Sequence, residues 1–159
     1  MIVVSDSSPL ISLAILNKLT ILDQLFDEIY IPMAVYNEVA RQNKPYYQEL
    51  ACFSANRVKR IQNQSDVQLL LKDLDIGESE AIVLAKENNI SDILIDEYKG
   101  RKIAVAHGLS PIGTIGLLIQ AKKKGIINEL RPELDILIAN HRRISPNLYE
   151  KALKLAGEK

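Results

Sequence analysis

Short apolar runs alternate with helix-length segments along this chain, and that alternation constrains the fold more than any other feature. Ile2-Val3-Val4, Ile29-Tyr30-Ile31, Val58 to Ile61, Ile93-Leu94-Ile95 and Leu109 to Ile112 read as strands: each is brief and rich in β-branched or aromatic residues. Between them lie segments of helical character. These are Leu10 to Leu16 behind Ser7-Ser8-Pro9, Leu19 to Phe26, a helix begun at Pro32 with Val35 and Val39 as an i, i+4 pair, Tyr47 to Ala55, and Val67 to Leu71. Gly77 to about Glu87, Lys102 to His107 and Thr114 to Lys124 follow, and Pro132 to Asn140 and Pro146 to Ala156 add two more. Strands that alternate with helices build a mostly parallel sheet covered on both faces. The expected fold class is therefore α/β, a three-layer α/β/α arrangement around a mostly parallel central sheet. No Pro/Gly/Ser-rich linker, repeat or low-complexity tract interrupts the pattern, so residues 1–159 read as a single domain.

The composition, 47% hydrophobic and 25% charged, suits an ordinary soluble protein with a sizeable core. No apolar run is long enough to span a bilayer, and Met1 leads straight into a strand without the pattern of a secretory leader, so no membrane association and a cytoplasmic location are expected. Cys52 is the only cysteine, which excludes an internal disulfide, and its neighbours Leu50, Ala51 and Phe53 suggest a small core residue. The net charge is +0, yet Lys99 to Arg143 carries nine Lys or Arg against three acids. That imbalance would suit a phosphodiester backbone, and equally an ordinary solvated surface.

Four acids carry the chemical argument. Asp6 closes the first apolar run and Asp96 closes Ile93-Leu94-Ile95, where an open α/β sheet forms its ligand crevice. Glu78 opens a helix on the face shared with Ala81, Ile82 and Ala85, and an acid on an apolar face needs a partner. Glu38 lies in the helix begun at Pro32. Each has a plainer reading: Asp6 or Ser8 as a helix cap, Glu78 as a first-turn acid favoured by the helix dipole, and Glu38 as a solvent-facing glutamate. Glu80 falls on another side of the helix from Glu78 and suits a supporting or surface role. Spacing does not decide whether Asp96 or Glu97 faces inward. Carboxylates that converge repel one another unless a hard cation joins them, which makes a Mg²⁺ or Mn²⁺ site the first expectation.

Other chemistries find no support. His107 and His141 have no cysteine or HExxH partner for zinc. HGLSPIGTIG lacks the spacing and lysine of a phosphate-binding loop and the pattern of a dinucleotide site. Gly113-Thr114 reads instead as a tight strand-to-helix turn, with Thr114 as cap or phosphate contact. No GxSxG elbow and no DxDGT signature occurs.

Six segments together carry a resemblance: VVSDSSPLISLA, IPMAVYNEV, LDIGESEAIVLA, ILIDEYKGRKIA, GLSPIGTIGLLIQAKKKGII and RISPNLYEKAL. In this order, through nearly the whole chain, they resemble the PIN-domain nucleases, and within them a prokaryotic subfamily of unknown function related to VapC-type toxins. The resemblance implies that Asp6, Glu38, Glu78 and Asp96 form a metal-holding quartet. It implies a Mg²⁺- or Mn²⁺-dependent ribonuclease, in one form the toxin of a toxin–antitoxin pair. The implied partners are RNA, a cognate antitoxin and a second copy of the chain in a homodimer. The chain departs from the toxins in its Asp6-Ser7-Ser8 opening and in having the longer Glu78 where toxins commonly have aspartate. Lys99, Arg101 and Lys102 are candidates for backbone contacts. The rival expectation is a non-catalytic PIN-like module that binds RNA or a protein.

Overall fold

Val3 and Val4 point to opposite faces of one strand, and each belongs to a different core. That strand, β1 (Ile2–Ser5), lies at the centre of a five-stranded sheet in the computed structural model, which describes residues 1–159. The order is β3-β2-β1-β4-β5 and every pairing is parallel, with β2 at Glu28–Pro32, β3 at Val58–Lys59, β4 at Asp92–Leu94 and β5 at Ser110–Ile112. The register sets Val4 beside Tyr30 and Ile93, all three on one face. Val3 lies beside Ile29 in the other core. The side-chain period of two thus sorts every strand between two layers.

The larger layer holds α1 (Ser7–Ile15), α2 (Thr20–Leu25), α3 (Met33–Val39), α4 (Tyr47–Ser54), α8 (Thr114–Lys123), α9 (Arg131–Ala139) and α10 (Pro146–Leu155). The smaller holds α5 (Gln64–Leu70), α6 (Ile76–Glu87) and α7 (Tyr98–Ala106). The architecture is the three-layer α/β/α expected from the alternation, and its sheet is wholly parallel. Leu10, Leu13, Leu22, Ile31, Leu94 and Leu117 are fully buried on one side, and Ile82, Leu84, Ile93 and Ile95 on the other. Each such side chain contributes about 1.5–3 kcal/mol of transfer free energy. These two cores frame the carboxyl ends of the interior strands β1 and β4, which Asp6 and Asp96 follow.

Some expectations change in detail. The first helix begins at Ser7, so Pro9 sits inside its first turn. Cys52 is exposed, because α4 buries Leu50 and Ser54 one turn apart and turns position 52 away from that face. Gly125 follows α8 with φ +76, the left-handed conformation that terminates a helix.

Candidate metal centre

The sheet's order reverses at β1: β2 and β3 lie to one side of it, β4 and β5 to the other. At such a switch point the connections leave in opposite directions and open a crevice at the carboxyl ends of the strands. Asp6 directly follows β1, and its backbone N–H still bonds to the Leu94 carbonyl of β4 at 2.9 Å. Asp96 follows the end of β4. Asp6, Glu38, Glu78 and Asp96 all line one open cavity of about 950 Å³. That is at the upper end of the roughly 300–1,000 Å³ of ligand clefts.

Each acid is held differently. Asp6 occupies the N-cap position of α1 but makes no side-chain cap bond, so the plain capping role does not describe it. Its carboxyl is 7% exposed, and burial pushes its pKa up to about 8; Asp75, Glu78 and Glu38 push the same way, while the Ser7 amide opposes. Asp96 accepts three hydrogen bonds. The Thr114 N–H reaches Oδ1 at 2.7 Å, and the Thr114 and Ser8 hydroxyls reach Oδ2 at 2.7 and 2.8 Å. Ser8 therefore serves Asp96 rather than a helix end, and Thr114 is a carboxylate contact rather than a cap. Glu97 also lines the cavity, at the N-cap of α7, and is exposed.

Glu78 is buried and forms a capping box with Asp75: its Nα donates to Asp75 Oδ1 at 2.8 Å, and its Oε1 accepts the Asp75 N–H at 3.1 Å. Burial raises its pKa above the usual carboxylate value. Asp75 is a cavity residue that the sequence reading missed, although an acid three residues before Glu78 is the spacing of such a box. Glu38 is half-buried on α3. The start of that helix is tied to α6, where Glu80 Oε1 accepts the Ala34 N–H at 2.9 Å. Of the two roles open to Glu80, supporting or surface, this bond gives it the supporting one.

Glycines stand where these acids pack. A Cβ on Gly100 would lie 3.0 Å from Glu78 Oε2 and 2.6 Å from Ile95 Cδ1. One on Gly77 would lie 3.3 Å from Asp6 Oδ1, and one on Gly113 would lie 3.3 Å from Asp96 Oδ1. Three acids from three parts of the chain each rest against a residue without a side chain.

Cations share the cavity with the acids. Arg101, Arg142, Arg143 and Lys151 line the cavity. Of the three cations just past Asp96, only Arg101 does so, with its Nη1 on the Ile95 carbonyl at 3.2 Å. Lys99 instead pairs with Asp73 at 3.5 Å, and Lys102 is exposed. Lys122 is spent on Glu158 and the Ala156 carbonyl. The basic stretch seen in the sequence is thus only partly a feature of the cavity. His107 is exposed beside Lys86 Nζ at 3.0 Å, while His141 lines the cavity alone, so neither forms a zinc cluster.

The donor chemistry fits a hard divalent cation, since the cavity floor offers carboxylate and hydroxyl oxygens. The Asp6 carboxyl lacks a countercharge within its group of acids, and the buried Ser7 hydroxyl on the cavity wall has no protein partner. The side chains as they lie do not bring three acidic or histidine groups onto one point. The reason is visible in the bonds: one oxygen of Glu78 is engaged by Asp75 and both oxygens of Asp96 by Thr114 and Ser8.

A family model described as PIN domain matches residues 2–158, nearly the whole chain. No curated protein and no solved structure matches it.

Proposed function

This chain belongs to the PIN-domain family, a nuclease-type fold, and we propose that it is a Mg²⁺- or Mn²⁺-dependent ribonuclease that hydrolyses RNA phosphodiester bonds. The observation that carries this reading is the convergence of Asp6, Glu38, Glu78 and Asp96, from four separate elements, on one cavity with a basic rim. These four would hold the ion. When bound, the ion supplies an acidified water and screens the phosphate charge. Arg101, Arg143 and Lys151 offset the repulsion between an incoming phosphate and the acids of the cavity. Asp96 keeps its carboxylate aimed by accepting from Ser8 and Thr114. Asp6, pushed up to about 8, would have to give up its proton to hold a cation.

The same reading makes the chain the toxin of a toxin–antitoxin pair, acting as a homodimer and restrained by its antitoxin. Exposed Ile136 and Ile138 on α9, and Leu148 and Leu155 on α10, leave apolar surface open to a protein partner. A small reading frame directly ahead of the gene whose product co-purifies with the chain would support it, and a chain that is harmless when expressed alone would count against it.

Purified protein should cleave single-stranded RNA with Mg²⁺ or Mn²⁺, stop with EDTA, and turn over far more slowly with Ca²⁺, whose looser coordination orients water poorly. The products should carry 5′-phosphates and be degraded by a 5′-phosphate-dependent exonuclease. Cleavage that persists in EDTA, or ends in 2′,3′-cyclic phosphate, defeats the mechanism. One observation favours a second reading, a non-catalytic RNA- or protein-binding module: the acids do not close on a single point. RNA retention in a gel shift without cleavage under any metal would select it.

A further inference from the structure

Arg142 belongs to the segment between α9 and α10, far in sequence from every acid of the cavity. It nevertheless reaches across to the first turn of α1. Its Nη2 donates to Ser8 Oγ at 2.6 Å and to the Ser8 carbonyl at 3.1 Å, and its Nε donates to Ser12 Oγ at 3.1 Å. A guanidinium has donors only. The Ser8 oxygen must therefore accept from Arg142, and its single hydrogen is left to point elsewhere, toward Asp96 Oδ2 at 2.8 Å. Ser8 lines the open cavity and could otherwise turn its hydrogen to solvent there. Arg142 removes that choice.

We propose that Arg142 is a positioning residue of the cavity: through Ser8 it fixes the direction of a hydrogen bond onto Asp96, and so fixes where that carboxylate stands. This rests on the nuclease reading for its catalytic consequence, but its structural part does not. The arginine is half-buried and its bonds to Ser8 and Ser12 bring the C-terminal helices onto the same element as Asp6.

Thr114 supplies the reporter. It is the first residue of α8, where a backbone N–H has no partner within the helix, and its one acceptor is Asp96 Oδ1 at 2.7 Å. Its amide exchange with solvent thus reports the position of the Asp96 carboxylate in metal-free protein. The Leu117 amide, bonded to the Gly113 carbonyl at 3.0 Å in the same helix, is the control for fraying. In metal-free protein, Arg142→Ala and Ser8→Ala should each speed Thr114 exchange about tenfold, with Leu117 unchanged. The double variant should be no faster than Ser8→Ala, since the arginine acts through the serine. Arg142→Lys should fall between wild type and Arg142→Ala.

Unchanged Thr114 exchange in Arg142→Ala overturns the proposal, as does an additive double variant or a parallel change at Leu117. For RNA cleavage with Mn²⁺, Arg142→Ala should lower kcat about tenfold with KM nearly constant. A rise in KM alone would overturn the positioning role in favour of direct phosphate contact. If wild-type protein neither binds Mn²⁺ nor cleaves RNA, the nuclease reading falls, while Thr114 exchange still decides the role of Arg142.

Discussion

The Ser8 hydroxyl and the Asp96 carboxylate meet at 2.8 Å, joining the first helix to the end of β4 across the switch point of the sheet. Asp6 makes no side-chain cap bond, whereas Asp96 accepts from Ser8 and Thr114. The two aspartates should respond differently to the same change of charge.

Asp96→Asn sets an amide group against donors that an oxygen now accepts. An unmatched buried donor costs about 1–3 kcal/mol. Metal-free Asp96→Asn should therefore melt below wild type as well as lose Mn²⁺ affinity by calorimetry. Glu97→Gln, at an exposed residue, should change both less. A larger loss of affinity in Glu97→Gln would reassign the ligand.

Asp6 gives a pH dependence. Its pKa is raised from 3.8 to about 8 in the folded chain. Between those values the folded state binds a proton that the unfolded state does not, so the stability this one group contributes falls as pH rises through that window and is gone above about 8. In EDTA, wild type should lose melting temperature between pH 5 and pH 8 more steeply than Asp6→Asn, which keeps the neutral form throughout. Parallel melting curves for the two proteins would show that Asp6 carries no such burden.

Gly100→Ala brings a methyl group to 2.6 Å from Ile95 Cδ1 and 3.0 Å from Glu78 Oε2. Overpacking of this kind costs about 1–3 kcal/mol. Thermal melts should show that loss, and Mn²⁺ affinity should fall with it because Glu78 is the carboxylate displaced. Affinity equal to wild type would mean that Ile95 alone yields.

Glu80→Gln keeps an acceptor for the Ala34 N–H, whereas Glu80→Ala removes it and leaves the start of α3 without its tie to α6. Glu80→Ala should weaken Mn²⁺ binding through Glu38 while Glu80→Gln stays near wild type. Equal losses in both would make Glu80 a charge contributor to the centre.

Much of this was readable because strand ends are readable. Asp6 and Asp96 terminate apolar runs, and Glu78 stands out as an acid on a helix that is apolar almost all round. Glu38 gave no comparable local signal, since only the packing of α3 against the sheet brings it to the cavity. Cys52 misled because apolar neighbours in sequence are not neighbours on a helix face: Leu50 and Ser54 point inward and position 52 does not. Arg142 was invisible for a different reason. Its contact with Ser8 spans 134 residues, and no periodicity or motif links positions so far apart.

That long reach has a consequence for the order of events during synthesis. The ribosome delivers the acids in sequence, Asp6 first and Asp96 last, and the strand that carries Asp6 waits at the centre of the sheet for β4 to arrive beside it. Arg142 follows later still. A nascent chain therefore carries all four acids before it receives the guanidinium that steadies them.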